Sequence, residues 1–246
     1  MYLGLKDRVA IVTGGTRGIG LATANALAAE GCVVAVCGRN PVELDGLYSY
    51  TVDVTKPEEL TGFVNAVHER FGRLDILVNN VGGSMGGGGF DASTVEQWHG
   101  VFELNVFSTL VASKAAIPHM KAAGWGRIVN VASIWGKEGG GGAAYNGAKS
   151  AVISMSKAMA RDLAADGILV NAVAPGSVLF PGGGWAKRMQ ADPEKIEKFV
   201  QTDMPLGRFG HPEEVANTIV FLSSAAASLI TGSCVVADGG QSHSNI

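Results

Sequence analysis

Tyr145 and Lys149 stand four residues apart in the segment Tyr145-Asn146-Gly147-Ala148-Lys149. On a helix that spacing stacks a phenol and an ammonium on one face, one turn apart. A free tyrosine, with a pKa near ~10, is a poor acid or base at neutral pH. A cation a few ångströms away favours the phenolate and draws that pKa down, toward the range where proton transfer is efficient. The pair is thus a minimal proton-transfer device. Taken alone it is more often surface decoration, so its meaning rests on what precedes it.

Arg8 to Thr13 (RVAIVT) is short, β-branched and apolar, the pattern of a fully buried strand. It runs into Thr13-Gly14-Gly15-Thr16-Arg17-Gly18-Ile19-Gly20, followed by an alanine-rich helix to about Glu30. Strand, glycine-rich turn and helix N-terminus together make a diphosphate site. Backbone N–H groups and the helix dipole face the anion, and the missing side chains let it approach. The spacing is GxxxGxG rather than GxGxxG, with Thr16 at the middle position. The plainer reading is a tight turn in any α/β protein; the correctly placed strand and helix favour dinucleotide binding.

The chain has 246 residues, 47% apolar and 17% charged, enough for one large α/β domain. A net charge of −3 without a basic stripe gives no footing for nucleic acid or an anionic membrane. Cys32, Cys37 and Cys234 lie in apolar runs without close pairing, as buried thiols do in a reducing cytosol. His68, His99, His119, His211 and His243 lack metal-ligand spacing, and no metal is expected. Lys6, Asp7 and Arg8 precede the first apolar run, which is not how a signal peptide opens, and a cytoplasmic location is expected. Val215 to Ala237 carries no charge and has the length of a membrane span. Its serines, threonines, Asn217 and Gly232 break it into helix, turn and strand instead.

Further strands are expected at Cys32 to Cys37, Tyr50 to Val54, Leu74 to Asn79, Arg127 to Ala132, Ile168 to Ala174 and Ser233 to Ala237. Helices between them include one opening at Thr55-Lys56-Pro57, with a capping hydroxyl and early acids, and running to about Phe71. Ser93 to Glu96 reads as a capping box for a long helix to about Ala122. Asn105 lies within it, and a buried asparagine must find hydrogen-bond partners. Strand five delivers Ser133 at its C-terminal end, and His211-Pro212 starts the last helix. Strands alternating with helices indicate a parallel sheet with right-handed crossovers. No domain-sized linker interrupts residues 1–246, so one domain is expected, with a substrate-covering lobe at about 177–210 holding a short helix from Asp192-Pro193.

With Thr13 to Gly20, Asn79-Asn80-Val81-Gly82, Asn105, Ser133, Tyr145, Lys149 and Pro175-Gly176 in this order, the chain resembles the short-chain dehydrogenase/reductase family. The likeness is to its compact branch and covers about Lys6 to Gly240. It implies a single doubly wound Rossmann-type domain with a seven-stranded parallel sheet ordered 3-2-1-4-5-6-7 and helices on both faces. It also implies reversible hydride transfer between a nicotinamide cofactor and a carbonyl or secondary alcohol. By that resemblance Tyr145 protonates the carbonyl oxygen, and Lys149 lowers the Tyr145 pKa and holds the nicotinamide ribose. Ser133 bonds the substrate oxygen, and Asn105 positions a proton-relaying water. The implied cofactor groove comprises Gly14, Thr16, Arg17, Gly18, Ile19, Gly20, Arg39, Asp53, Val54, Asn80, Gly82, Tyr145, Lys149, Pro175, Gly176 and Val178. Asp53 looks like an adenine contact; its plainer reading is a cap on the third strand.

Three departures stand out. The stretch between Arg39 and Tyr50 is too short for the usual helix, as in some 3-oxoacyl carrier-protein reductases. Ser177-Val178-Leu179 replaces the frequent carboxamide-binding threonine. Glycine runs at 86–89 and 139–142 flank the site. Where dinucleotide folds place an acid for the ribose 2′-hydroxyl, this chain has Cys37, with Arg39 and Arg17 nearby. That favours NADP(H) over NAD(H). The resemblance implies a small carbonyl or alcohol substrate, with a fatty-acyl thioester, a cyclic ketone or a sugar all compatible. Met85, Trp135, Phe180, Trp185 and Met189 suit a moderately apolar pocket and equally suit packing. A non-catalytic nucleotide sensor would have little use for the full catalytic set. Sugar-nucleotide epimerases are longer, and related enoyl reductases place the tyrosine further from the lysine. Apolar residues around most of the 94–122 and 144–165 helices predict a homo-oligomer of closed symmetry, and the family resemblance implies a homotetramer.

Overall fold

The computed structural model describes residues 2–40, 42–86 and 88–245; Gly87, within the first glycine run, and Pro41 lie outside it, as do Met1 and Ile246. Seven parallel strands are β1 (Val9–Thr13), β2 (Val33–Gly38), β3 (Tyr48–Thr51), β4 (Ile76–Asn79), β5 (Gly126–Val131), β6 (Ile168–Pro175) and β7 (Cys234–Ala237). They form one sheet in the expected order β3-β2-β1-β4-β5-β6-β7. The helices are α1 (Gly18–Ala29), α2 (Pro57–Phe71), α3 (Val95–Phe102), α4 (Ser108–Ala123), α5 (Ala143–Leu163), α6 (Gly184–Ala191), α7 (Pro193–Asp203) and α8 (Pro212–Leu222).

Side chains alternate across each strand, which divides the core into two layers. Ile11, Leu77, Ile128 and Val170 meet α2, α4 and α5 through Leu60, Val64, Ala112, Met120 and Leu163. Val12, Val36, Val78 and Val173 meet α1 and α8 through Ala24, Leu27, Val215 and Ile219. Both faces are covered, so the strands read as continuous apolar runs. The sheet fixes where every βα loop ends up, and the site lies along its C-terminal edge.

Several boundaries differ from the sequence reading. β3 begins at Tyr48, two residues early, pairing Tyr48 with Ala35. Tyr48 stacks edge-on against Phe71, and Tyr50 meets Phe63, so aromatic contacts with α2 set the register. Thr55 does not cap α2: its hydroxyl donates to Asp53 Oδ1 at 2.8 Å, and Lys56 occupies the cap position. The capping box falls one residue later, between Thr94 and Gln97. The long helix is interrupted by a π-helical turn, Glu103–Phe107, centred on Asn105. The continuous stretch Val95–Ala123 is long and apolar enough to cross a membrane, with mean hydropathy 1.2. Here Val101, Ala112, Ala116 and Met120 are buried within the fold. Val215 to Ala237 divides into the end of α8, a turn at Ala225–Ala227 and β7, as its polar residues imply.

Between β6 and α8 the chain forms two helices, α6 and α7, rather than one. They carry a small core of their own: Trp185 stacks on Phe199 and packs on Phe209, with Ile196 and Met204 buried beside them. Two hydrogen bonds clip this lobe at its base, from Leu179 N–H to Gly210 O and from Gly210 N–H to Ser177 O, both 3.0 Å.

Candidate active site

The glycine-rich turn is built by close approach. Gly14 has φ +64°, and a Cβ there would fall 2.9 Å from Val81 Cγ2; on Gly15 it would fall 2.5 Å from Val36 Cγ1. A Cβ on Gly20 would strike the Gly14 carbonyl, so the first turn of α1 needs glycine at this position. The Thr13 hydroxyl accepts the N–H of Asn80 at 3.0 Å and of Val81 at 3.3 Å. Asn80 returns its amide to the carbonyls of Thr13 (3.0 Å) and Gly14 (3.2 Å). Asn80 therefore clamps the tips of β1 and β4 together. Thr13 does the same from the other side, a role that nothing in its sequence context announced.

Arg17 occupies the cap position of α1 without a side-chain cap, and the first turn holds no acid. The leading amides and the positive dipole end are left for an anion, which fits the diphosphate of a dinucleotide. Thr16 packs against Gly38 at the end of β2, where a Cβ would lie 2.8 Å from Thr16 Cγ2. Ile19 joins the core layer beneath. Cys37 is fully buried, and burial pushes its thiol up to about 11, so this position is uncharged. Arg17 and Arg39 are both exposed. Asp53 carries a carboxyl held below its ordinary range first by hydrogen bonds from Thr55, then by Lys56 and Arg39. The side chain of Val54 points into the core, so only its backbone can meet a cofactor. Phe180 borders the cradle, its ring 2.8 Å from where a Cβ on Gly18 would stand.

The catalytic candidates converge. Tyr145 and Lys149 lie on α5, and Ser133 sits at the end of β5, buried, its hydroxyl accepting Trp135 N–H at 3.2 Å. Lys149 is 2% exposed and donates to the Val131 carbonyl at 2.8 Å. Gly82 lies between it and Asn105: a Cβ there would be 2.6 Å from Asn105 Oδ1 and 2.7 Å from Lys149 Nζ. Asn105, fully buried, exchanges two hydrogen bonds with the Gly83 backbone (Nδ2 to O 2.9 Å, N to Oδ1 3.1 Å) and donates to Val101 O at 2.7 Å. It ties the π turn to the chain leaving β4. π turns recur at functional sites because they redirect one residue without ending the helix.

The electrostatics correct one expectation. Burial raises the Tyr145 phenol above its ordinary range, and a hydrogen bond with Ser133 draws it back. No pull from Lys149 counters this. Burial instead pushes the Lys149 ammonium down to about 8. The site as folded keeps tyrosine in its acid form.

Of the five residues suited to a pocket or to packing, Phe180 stays at the cradle, while Trp185 and Met189 serve packing. Trp185 belongs to the lobe core, and Met85 is 62% exposed. Trp135 lies flat on the second glycine run: a Cβ on Gly140 would penetrate its indole ring. That contact gives the run a packing reason beyond loop freedom. The first run reaches the same region, with Gly88 O accepting Ala143 N–H at 3.2 Å.

Residues 14–242 match the family model described as enoyl-(acyl carrier protein) reductase. The chain belongs to the short-chain dehydrogenase/reductase family, oxidoreductases of carbonyl and CH–OH groups that use nicotinamide cofactors. It is similar to a Streptomyces virginiae protein named as a monensin polyketide synthase ketoacyl reductase, 40% identical over 95% of this chain and 97% of that one. The 3-oxoacyl-[acyl-carrier-protein] reductase of Thermotoga maritima is 35% identical, over 96% and 98%. The ligand-free aldohexose dehydrogenase of Thermoplasma acidophilum superposes with a TM-score of 0.88 at 32% identity, over 98% and 97%.

Proposed function

We propose that this protein reduces the ketone of a 3-oxoacyl thioester with NADPH, with Tyr145 as proton donor. The observation that carries the reading is a buried, strand-anchored Lys149 set 5.7 Å from the centroid of the Tyr145 ring, with Ser133 buried at the end of β5. The ketoacyl and 3-oxoacyl reductases among its relatives support the substrate class. The cofactor, when bound, supplies hydride to the carbonyl carbon. Ser133 and Tyr145 both direct hydroxyls at the carbonyl oxygen; Tyr145 donates its proton there, and Ser133 holds the oxygen as charge develops. Lys149 supports the phenolate left behind and binds the nicotinamide ribose. Asn105 holds the Gly83 backbone and places the water through which Tyr145 is reprotonated.

Gly14, Thr16, Gly18, Ile19 and Gly20 line the diphosphate strip, Arg17 and Arg39 receive the 2′-phosphate, and Asp53 with the Val54 backbone meets the adenine. Asn80 and Gly82 line the groove toward the nicotinamide. Its carboxamide falls to Pro175, Gly176 and the Val178 backbone. Ser177 and Leu179 use their N–H groups internally, whereas no hydrogen bond occupies the N–H or C=O of Val178 among the described residues. The 177–210 lobe covers the site, with Phe180 at its edge. Phe107, 45% exposed on the long helix, fits assembly of α4 and α5 into a homotetramer, and a cytoplasmic enzyme suits the three free thiols.

The test is oxidation of NADPH and NADH against acetoacetyl-CoA, a cyclic ketone and an aldose. The reading predicts the highest kcat/KM with NADPH and the thioester. Turnover confined to the aldose would contradict it.

A further inference from the structure

We infer that Gln241 is a positioning residue for the nicotinamide end of the cofactor, acting through Ser177 on Val178; this rests on the reductase reading above. Gln241 follows Gly239-Gly240 past the last strand, where no motif marks it. It is nonetheless 5% exposed. Its Oε1 accepts the Ser177 N–H at 2.7 Å, and its Nε2 donates to the Ser177 hydroxyl at 3.0 Å. A single side-chain amide thus grips one residue at both its backbone and its side chain. A buried amide held at both ends has one orientation, and so does what it holds.

The grip works at the point where β6 leaves the sheet. Gly176 donates to Ala237 O at 3.1 Å, and a Cβ on Gly176 would lie 2.7 Å from Gln241 Oε1. Only glycine lets the amide come so near. Ser177 O is taken by Gly210 N–H, and Leu179 N–H by Gly210 O. Gln241 completes this set by engaging the Ser177 N–H. The segment is then fixed on both sides of Val178, whose own N–H and C=O remain for a carboxamide, which needs one acceptor and one donor. The frequent threonine being absent, Gln241 is the side chain that stiffens this turn.

The same tail is fastened to the catalytic loop. Asp238 accepts the N–H of Gly240 at 2.9 Å and of Ser242 at 2.7 Å. Glu138 Oε2 accepts the Ser242 hydroxyl at 3.0 Å and the His243 N–H at 2.8 Å. The Glu138 carbonyl accepts Asn146 Nδ2 at 3.2 Å, beside Tyr145. Residues 238–243 therefore strap the nicotinamide segment to the start of the tyrosine helix.

The experiment compares Gln241→Leu and Gln241→Glu with wild type by fluorescence titration of two probes, NADPH and 2′-phospho-ADP-ribose, which lacks only the nicotinamide. Losing both hydrogen bonds predicts about five- to tenfold weaker NADPH binding in Gln241→Leu, with 2′-phospho-ADP-ribose changed less than about twofold. Gln241→Glu keeps an acceptor for Ser177 and is expected to recover most of the loss. Equal weakening of both probes means a merely structural role and overturns the inference, as does unchanged NADPH affinity. If Gln241→Leu does not fold, Gln241→Asn, one methylene short of Ser177, is measured against the same two criteria. Failure of wild type to bind NADPH would overturn the reductase reading instead.

Discussion

The Lys149 ammonium lies 5.7 Å from the centroid of the Tyr145 ring and is anchored to the Val131 carbonyl at 2.8 Å. It is held by the strand below rather than by the phenol beside it. With no opposite charge to offset burial, its pKa falls to about 8. Lysine is charged below that value and neutral above it. If the charge supports the phenolate formed as Tyr145 gives up its proton, reductive kcat/KM is level near neutrality and declines above about pH 8. The check is kcat/KM for the ketone against pH at saturating NADPH. A profile level up to the ordinary lysine range, near ~10.4, would remove Lys149 from this role.

Arg39 is expected to discriminate the cofactors. A charge-assisted hydrogen bond contributes roughly 1.5–3 kcal/mol, and the exposure of Arg39 and the nearby Asp53 carboxylate reduce that. Arg39→Ala should cost about one decade in kcat/KM for NADPH, at ~1.4 kcal/mol per decade, and leave NADH nearly unchanged. Equal losses for both cofactors at fixed low ionic strength would count against the assignment.

The glycine run beside the site offers a contrast within one loop. A Cβ on Gly140 would run into the Trp135 indole, whereas Gly139 has nothing within 4 Å. Overpacking costs about 1–3 kcal/mol. Gly140→Ala should therefore lower Tm by several degrees, at ~2–4 °C per kcal/mol for a domain of this size, and Gly139→Ala should leave it almost unchanged. Indistinguishable melting curves would mean that Trp135 is not seated as described.

His119 stacks on His68 with ring centroids 3.9 Å apart, and its Nε2 meets Asn65 Oδ1 at 3.0 Å. Burial and the neighbouring His68 lower the His119 pKa, with Glu69 opposing. The folded state thus resists protonation more than the unfolded chain does. Stability is retained above the ordinary histidine pKa of ~6.5 and is lost as pH falls through it. His119→Gln should make the drop in Tm between about pH 7.5 and 5.5 shallower. A wild-type Tm that rises on acidification would reverse the sign and refute the coupling.

The strands and the first βα turn were legible because they are written in local chemistry, whereas the sheet order came only through the family resemblance. β1 is apolar from Val9 to Val12, being covered on both faces, and the glycines of its turn are demanded by contacts with Val36, Val81 and the turn itself. Tyr145 and Lys149 stood out by type and spacing, Ser133 and Asn105 through the family resemblance, and the fold brings the four together. What was not legible depends on distant partners. The start of β3 is set by Tyr48 meeting Phe71, and the π turn by Asn105 reaching Gly83. The direction of the tyrosine shift depends on burial, which spacing cannot report. Thr13 and Gln241 are single polar residues whose partners lie 67 and 64 positions away along the chain.

The central claim is that Tyr145 delivers the proton. Tyr145→Phe removes the hydroxyl and keeps the ring, so packing and cofactor binding should hold. The decisive measurement is single-turnover oxidation of enzyme-bound NADPH by acetoacetyl-CoA, with NADPH affinity titrated in parallel. General acid catalysis supplies on the order of 10²–10⁴-fold. The rate should fall by at least that range while NADPH binds within about twofold of wild type. A rate within a few-fold of wild type, with affinity unchanged, would contradict the account.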